Sequence, residues 1–424
     1  MGDEYQVVVV AGGSSKDLFP LVSKDVPKAL LPIGNRPLLS YVLDLLEDSN
    51  LNNVSVVVAG HESGVRVGSW IAEAYHDRLQ VEVSTVSEES GTADALRSVA
   101  HRLSSENVLV VSGDMVCDVP LGAIASSHKR QRAGLTALLC PRTPGEGCEA
   151  SAGGVGTKEK AKQLAAADVI GLDSARHRLL YVASGSQLGK EVKVPLCLMR
   201  EAGQVELHTD LLDAHLYAFN RELMLEALER NEKFKSIKRD LVPHIVRSQL
   251  KHGRVEGTLS CSAYVAGKAR YCARVNTIEA YGDINRDVAG DAIYLTGYTV
   301  SGMNNVIHPS AQTGAKTAIG PQCIIGEGSE LGEKCSVKRS VVGRHCRIGS
   351  NVKVINSVVM NHVTLEDGCL VQNSVICSNV YLQERVTLKD CQVGCGYVIG
   401  VGAEHRSEAL AKKEKMPINY QFLQ

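Results

Sequence analysis

The chain has 424 residues, with 46 lysines and arginines against 47 aspartates and glutamates and a formal net charge of −1. That length exceeds what one hydrophobic core ordinarily serves, so two domains are expected, and the charge balance gives no electrostatic ground for a nucleic acid or a membrane surface as the main partner. No apolar run approaches the roughly 20 residues that span a bilayer; the opening MGDEYQ lacks a basic segment and puts Gln6 where a myristoylation signal needs Ser or Thr, so the expected setting is the cytosol.

In chain order, the apolar run Val7–Val10 enters the glycine pair Gly12 and Gly13. A buried strand opening into a glycine loop is how parallel sheets cradle phosphate at the carboxyl ends of their strands, and Lys28 is close enough in sequence to neutralise it. A helix over 37–48 leads to strand Val54–Ala59, an amphipathic helix near 65–77 and strand Leu79–Thr85. The segment SGTADALRSVAHRL sets Ala95, Val99 and Leu103 on one helical face. Strand Val108–Ser112 ends in Gly113-Asp114, LGAIASSHKRQR reads as a helix, and Leu135–Cys140 as a strand. Strands alternating with helices at this spacing predict an α/β fold with a Rossmann-type parallel sheet. Taken alone, Asp114 reads as a helix cap after a buried strand.

The stretch 145–163, rich in Gly, Ala and Lys, has the composition of a surface insertion. Its GGVGTKEK lacks the spacing and flanking strand of a phosphate loop. Segment 207–249 combines a strand-like HLYAF with helices on either side. A first domain over 1–290 and a linker over 291–317 follow from this reading.

From about residue 318 the sequence repeats. Ile325, Val342, Val359, Ile376 and Val393 are 17 apart; so are Leu331, Ile348, Leu365, Leu382 and Ile399, and Val337, Val354, Val371 and Leu388. One aliphatic residue per hexad and three hexads per turn predict a left-handed parallel β-helix over 318–404. Cys323, Cys335, Cys346 and Cys369 each lie four residues after a hexad aliphatic, so much of the unusual count of 13 cysteines reads as packing. No cysteine pair has zinc spacing, and CQVGC at 391–395 stands alone, so no metal site is expected. His345 and His362 read as solvated coil residues. The tail 405–424 opens with the charged, helix-like HRSEALAKKEK.

The opening stretch also resembles the signature of the sugar-phosphate nucleotidyltransferases, A-G-G-x-G-T-R-L-x-P-L followed by P-K-P-L. Ala11, Gly12, Gly13, Leu18, Pro20, Leu21, Pro27, Lys28 and Leu30 keep it, whereas the family's G-T-R reads Ser15, Lys16, Asp17. In that family the arginine stabilises the charge that develops as pyrophosphate leaves; Asp17 reverses the sign and repels a triphosphate. Gly91, Thr92, Ala93, Ala95 and Leu96 resemble the family's base-reading G-T-A-x-A-L, and Gly113-Asp114 resembles its G-D, whose aspartate binds the catalytic magnesium. The family's second metal carboxylate comes from W-x-D-x-G-T. The matching stretch, residues 271–277, reads YCARVNT, with Arg274 in the aspartate's place and Asn276 in the glycine's. A metal held between phosphates needs both carboxylates.

Asp213, Ala214, His215 and Tyr217, then Ser236-Ile237, Leu241, Pro243, Val246 and Arg247, resemble one degenerate branch of that family, the gamma subunits of eukaryotic translation initiation factor 2B. The resemblance covers almost the whole chain. It implies a non-catalytic subunit of the exchange factor that recycles GDP to GTP on initiation factor 2, pairing with the epsilon subunit, assembling with the factor's other subunits and helping to dock initiation factor 2. It implies no catalytic residue, no metal and no cofactor; Gly12, Gly13, Lys28, Gly91, Thr92 and Asp114 form a vestigial set able to support weak nucleotide or sugar-nucleotide binding. The alternative is an active mannose-1-phosphate guanylyltransferase or glucose-1-phosphate adenylyltransferase, favoured by Lys28 and Asp114 and opposed by Asp17 and Arg274. A β-helical acyltransferase using an interfacial histidine is a third reading, and no acyl-carrier or coenzyme A signature accompanies it.

Overall fold

The computed structural model describes residues 4–12, 16–23, 26–142, 168–173, 177–185, 194, 204–249 and 260–411. Gly13, Ser15, the insertion 145–163 and residues 412–424 of the tail lie outside them. By internal packing the chain divides into two units, Met1–Ser14 with Leu38–Arg274, and Ser15–Pro37 with Val275–Gln424. Both are discontinuous in sequence, which the expected boundary at 290 does not anticipate.

The first unit is built on a ten-stranded sheet. Its strands are β1 (Tyr5–Val10), β2 (Asn53–Ala59), β3 (Gln80–Val86), β4 (Asn107–Ser112), β6 (Ala133–Pro141), β7 (Val169–Asp173), β8 (Arg178–Ala183), β9 (Glu206–His208), β10 (Leu211–Asn220) and β11 (Ser260–Val265), while β5 (Met115–Cys117) pairs apart with β12 (Cys272–Arg274). The spatial order is β9-β7-β8-β11-β6-β10-β4-β1-β2-β3. Strands β4, β1, β2 and β3 are mutually parallel. Their connections carry helices α1 (Leu38–Asp48), α2 (His61–Tyr75) and α3 (Thr92–Val99). Buried on both faces, β1 has no exposed residue, and its sequence runs as continuous valine rather than alternating.

The expected Rossmann-type parallel sheet is present from β4 to β3, and beyond β4 the sheet becomes mixed. Strand β10 lies antiparallel to both β4 and β6, and β8, β7 and β9 are also joined antiparallel, so the sheet is mixed. Apolar periodicity reports burial and carries no information on strand direction. The register of β10 against β6 shifts between Asp213 and Tyr217, where His215 adopts a left-handed φ of 57°. That bulge re-aims the polar side chains at its ends. Among the described residues the unit also holds helices α4 (Leu121–Arg130), α5 (Arg221–Arg230) and α6 (Val242–Ser248).

On α4, His128 is 2% exposed, with Nδ1 2.8 Å from Thr136 Oγ1 and Nε2 3.3 Å from Asn107 Oδ1. Burial lowers its pKa to about 4. Because the unfolded chain takes up this proton first as pH falls, the stability carried by the neutral ring is complete above the unfolded value of ~6.5 and is lost down to pH ~4, about 3 kcal/mol in all. His128→Gln is therefore expected to flatten the pH dependence of urea unfolding in that window by about this amount relative to the wild type. An unchanged slope would show that the ring is protonated in place.

The second unit holds α7 (Ile278–Ala289) and a triangular parallel β-helix. Three sheets of seven, six and six strands stack coil upon coil. Ile325, Val342, Val359, Ile376 and Val393 pair in succession along one face; Leu331, Ile348, Leu365, Leu382 and Ile399 along the second; and Val337, Val354, Val371 and Leu388 along the third. All are buried in one core, as are Cys323, Cys335, Cys346 and Cys369. Thiols of Cys335, Cys346 and Cys369 donate to carbonyl oxygens of the next coil, at 2.9, 3.1 and 3.1 Å.

The stack runs from Val306 to Leu410, further at both ends than expected. In the first coil, Ile307 pairs with Ile325 and Thr313 with Leu331, one residue more than the later repeat, so a count of 17 misses it. At the other end Glu404–Arg406 and Ala409–Leu410 are strands, which corrects the helical reading of 405–411. Glu, Ala and Arg there suit a helix, and pairing with the coil beneath outweighs that local preference. His345 and His362 occupy successive left-handed corner positions, φ 53° and 56°, with their rings stacked 5.4 Å apart. Residues 32–37 belong to this unit. Gly34 N donates to Asn285 Oδ1, Asn35 Nδ2 to Val342 O, Arg36 Nη1 to Thr296 O, and Tyr281 Oη to Pro32 O.

Candidate functional site

Strand β4 delivers Asp114 at its carboxyl end, where a parallel α/β sheet places ligands. Asp114 is 6% exposed. Facing it from β12, which pairs Arg274 opposite Met115 of β5, the Arg274 guanidinium makes a two-pronged contact: Nε donates to Asp114 Oδ1 at 3.0 Å and Nη2 to Oδ2 at 2.9 Å. Ser112 Oγ donates to Asp114 Oδ1 at 2.7 Å and accepts from Arg274 Nη2 at 3.4 Å. Burial opposes the charge on Arg274, and the Asp114 carboxylate together with Tyr217 and Asp213 outweighs it, holding the guanidinium above its ordinary pKa. Such a fork is the strongest way two side chains neutralise one another.

A second layer of charge lies beside this pair. Asp213 accepts from Tyr217 Oη at 2.6 Å and from His215 N at 2.8 Å across the β10 bulge. Burial pushes the Asp213 carboxyl up, and Lys238, Tyr217 and Arg274 pull against it. Lys238 Nζ lies 2.6 Å from Asp168 Oδ2. Sequence reasoning named Asp213 and Tyr217 only as marks of resemblance and missed Ser112, Asp168 and Lys238. The four-residue spacing of Asp213 and Tyr217 gives no sign of pairing until the bulge is known.

The loop expected to read a base is engaged by the chain itself. Gly91 N donates to Asp94 Oδ2 at 2.9 Å, Ala93 N to Lys235 O at 2.9 Å, and Thr92 Oγ1 accepts from Ile237 N at 2.9 Å. A Cβ on Gly91 would lie 2.0 Å from Lys235 O, so glycine is required by this backbone approach. Arg97 fastens the same segment, donating to Phe234 O and Asn231 O at 2.8 Å each. Gly12 has an equally structural reason, since its Cβ would lie 2.9 Å from Ala59 N. Asp17 and Lys28 belong to the second unit, in short 3₁₀ turns over Lys16–Leu18 and Lys28–Leu30.

These residues do not fit the magnesium that the nucleotidyltransferase resemblance implies. Both oxygens of Asp114 face the Arg274 fork, and a cation fills the place of the second carboxylate. Among the described residues no group of three or more His, Cys, Asp or Glu side chains is placed to hold a metal.

Comparison with known proteins finds two family models along the chain, the first of which runs through residues 15–37 of the second unit. A nucleotidyl transferase family model matches residues 6–147, and the model of the EIF2B subunit epsilon LbH domain, a left-handed β-helix, matches residues 304–404. The translation initiation factor eIF2B subunit gamma of Dictyostelium discoideum is 30% identical over 388 residues, covering 80% of this chain and 87% of that one. Its Schizosaccharomyces pombe counterpart is 27% identical over 363 residues, with 79% and 74% covered. The S. pombe eIF2B subunit epsilon is 23% identical over 297 residues, covering 68% of this chain and 41% of its own length. A nucleotidyltransferase-like sheet, a left-handed β-helix and this similarity along the chain place it in the family of translation initiation factor eIF2B gamma subunits.

Proposed function

We propose that the chain is a non-catalytic subunit of the guanine-nucleotide exchange factor that recycles GDP to GTP on translation initiation factor 2, working in the cytosol, paired with the epsilon subunit and helping to dock the G protein. The observation that carries the non-catalytic part is the two-pronged capture of Asp114 by Arg274. Nucleotidyl transfer needs a cation between the phosphates, and a positive fork on the one retained carboxylate repels that cation. The sequence change Asp17 works in the same direction. Gly12, Gly13, Lys28, Gly91, Thr92 and Asp114 are then a remnant that supports at most weak nucleotide binding, and the subunit contributes surface and scaffold to the complex.

The purified chain, offered each nucleoside triphosphate with mannose-1-phosphate or glucose-1-phosphate and magnesium, is expected to release no pyrophosphate above background. Release that disappears in Asp114→Asn would make the chain a sugar-phosphate nucleotidyltransferase instead. Affinity purification from its own cells is expected to recover the epsilon subunit and initiation factor 2, and a lone homo-oligomer would exclude the assembly.

A further inference from the structure

The short strand that supplies Arg274 also carries a cysteine whose position the site chemistry does not use. Strand β12 pairs antiparallel with β5 and sets Cys272 directly opposite Cys117. Asp118 N donates to Tyr271 O at 3.0 Å, the ladder bond that marks Asp118 and Tyr271 as a pair of the hydrogen-bonded kind, while Tyr271 N donates to the Asp118 side chain, Oδ1, at 2.8 Å. The neighbouring pair, Cys117 and Cys272, is then of the non-hydrogen-bonded kind, in which opposed side chains approach most closely. Its typical Cα separation of ~4.5 Å falls within the roughly 4.4–6.8 Å that disulfides span. Cys117 is buried and Cys272 partly exposed. A third thiol, Cys140 on β6, also touches Cys272, but its strand partner is Leu212.

We propose that Cys117 and Cys272 are an oxidation site, forming a reversible cross-strand disulfide that fastens β12 to β5 beside the Arg274–Asp114 pair. The neighbouring Cys117 and Cys140 thiols, followed by burial, hold the Cys272 thiol well above its ordinary pKa, so little thiolate is present at neutral pH and oxidation is slow, while the strand register keeps the partner sulfur at hand. With hydrogen peroxide as oxidant, the small thiolate fraction of Cys272 attacks one peroxide oxygen, the O–O bond breaks, and the sulfur becomes a sulfenic acid as the departing hydroxide takes up the thiol's proton and leaves as water. Cys117 Sγ then attacks that sulfur, the S–O bond breaks, and a second water departs with the thiol proton. Two thiols are oxidised and one peroxide is reduced to two waters. Strand β12 is three residues long and, among the described residues, pairs only with β5. Because side chains alternate along a strand, Cys272 and Arg274 share a face, and the new bond holds that face down.

The test uses the full chain in its native subunit assembly, treated with hydrogen peroxide, alkylated and cut with trypsin. Cleavage after Arg270 and Arg274 isolates YCAR; Cys117 lies in the peptide 103–129 and Cys140 in 133–142. YCAR is expected to be linked to 103–129, to be released by dithiothreitol, to remain linked in Cys140→Ser and to be lost in Cys117→Ser. Amide exchange over 271–274 is expected to slow by about tenfold on oxidation. Linkage of YCAR to 133–142, loss of the link in Cys140→Ser, or free YCAR while other cysteines are oxidised would each overturn the assignment.

Discussion

Arg274→Ala is expected to lower stability at neutral pH by about 3 kcal/mol, at the lower end of the ~3–5 kcal/mol typical of breaking a buried ion pair. The lower end applies because the Arg274 side chain is 21% exposed, whereas that of Asp114 is 7%. Removing the fork strips two donors from a carboxylate that has little access to water, and the main cost is that stranded charge rather than the lost attraction. Asp114→Asn added to Arg274→Ala is expected to recover much of the loss, since the charge itself is then gone. The carboxyl in Arg274→Ala should also take up a proton more readily, so the deficit should shrink as the solution is acidified. Chemical denaturation of the wild type, both single variants and the double variant at two pH values reads out all of this. Equal deficits in the single and double variants would mean that Arg274 acts through packing. Arg274→Asp extends the test: it restores two carboxylates, and any stabilisation by magnesium would show that the ancestral metal position survives apart from this one residue.

Val354→Asp should do still more damage, with a loss of at least about 4 kcal/mol, because it puts an unpaired carboxylate into a coil interior with no polar partner. Val354 is fully buried between Val337 and Val371. The adjacent Lys353 is exposed on the same strand, and Lys353→Asp is expected to change stability by no more than about 0.5 kcal/mol. Since one coil supports the next, the damage should spread along the stack in hydrogen exchange rather than stay local. Comparable effects of the two substitutions would contradict the inward assignment of the hexad positions.

The β-helix was the most legible part of the chain because each hexad aliphatic has one place to go, and three registers repeated that information independently. The first coil escaped because its extra residue breaks the count, and the last because its composition suits a helix. In the first unit, the order of strands and helices could be read from β1 to β4, and the pairing direction of β10 could not. Among the site residues, Asp114 and Arg274 stood out as a retained and a replaced position in a known pattern. Their bidentate contact depends on β12 pairing with β5 across more than 150 residues of chain, and nothing local in either segment specifies it. The engagement of Thr92 and Ala93 by Ile237 and Lys235 is hidden for the same reason: on the distant segment it uses Ile237 N and Lys235 O, backbone groups that the side-chain pattern does not encode.

Residues 32–36, near the start of the chain, find their hydrogen-bonding partners in segments made much later: Pro32 waits for Tyr281, 249 residues downstream, and Asn35 for Val342, 307 residues downstream. At translation speeds of ~5–20 residues per second, this loop leaves the ribosome on the order of tens of seconds before these two partners exist. Ile33 within it is fully buried in the finished molecule. The newborn chain therefore carries this segment without its Tyr281 and Val342 anchors through most of its own synthesis. Chaperone occupancy of the nascent polypeptide should be highest between the emergence of this segment and the completion of the first coils.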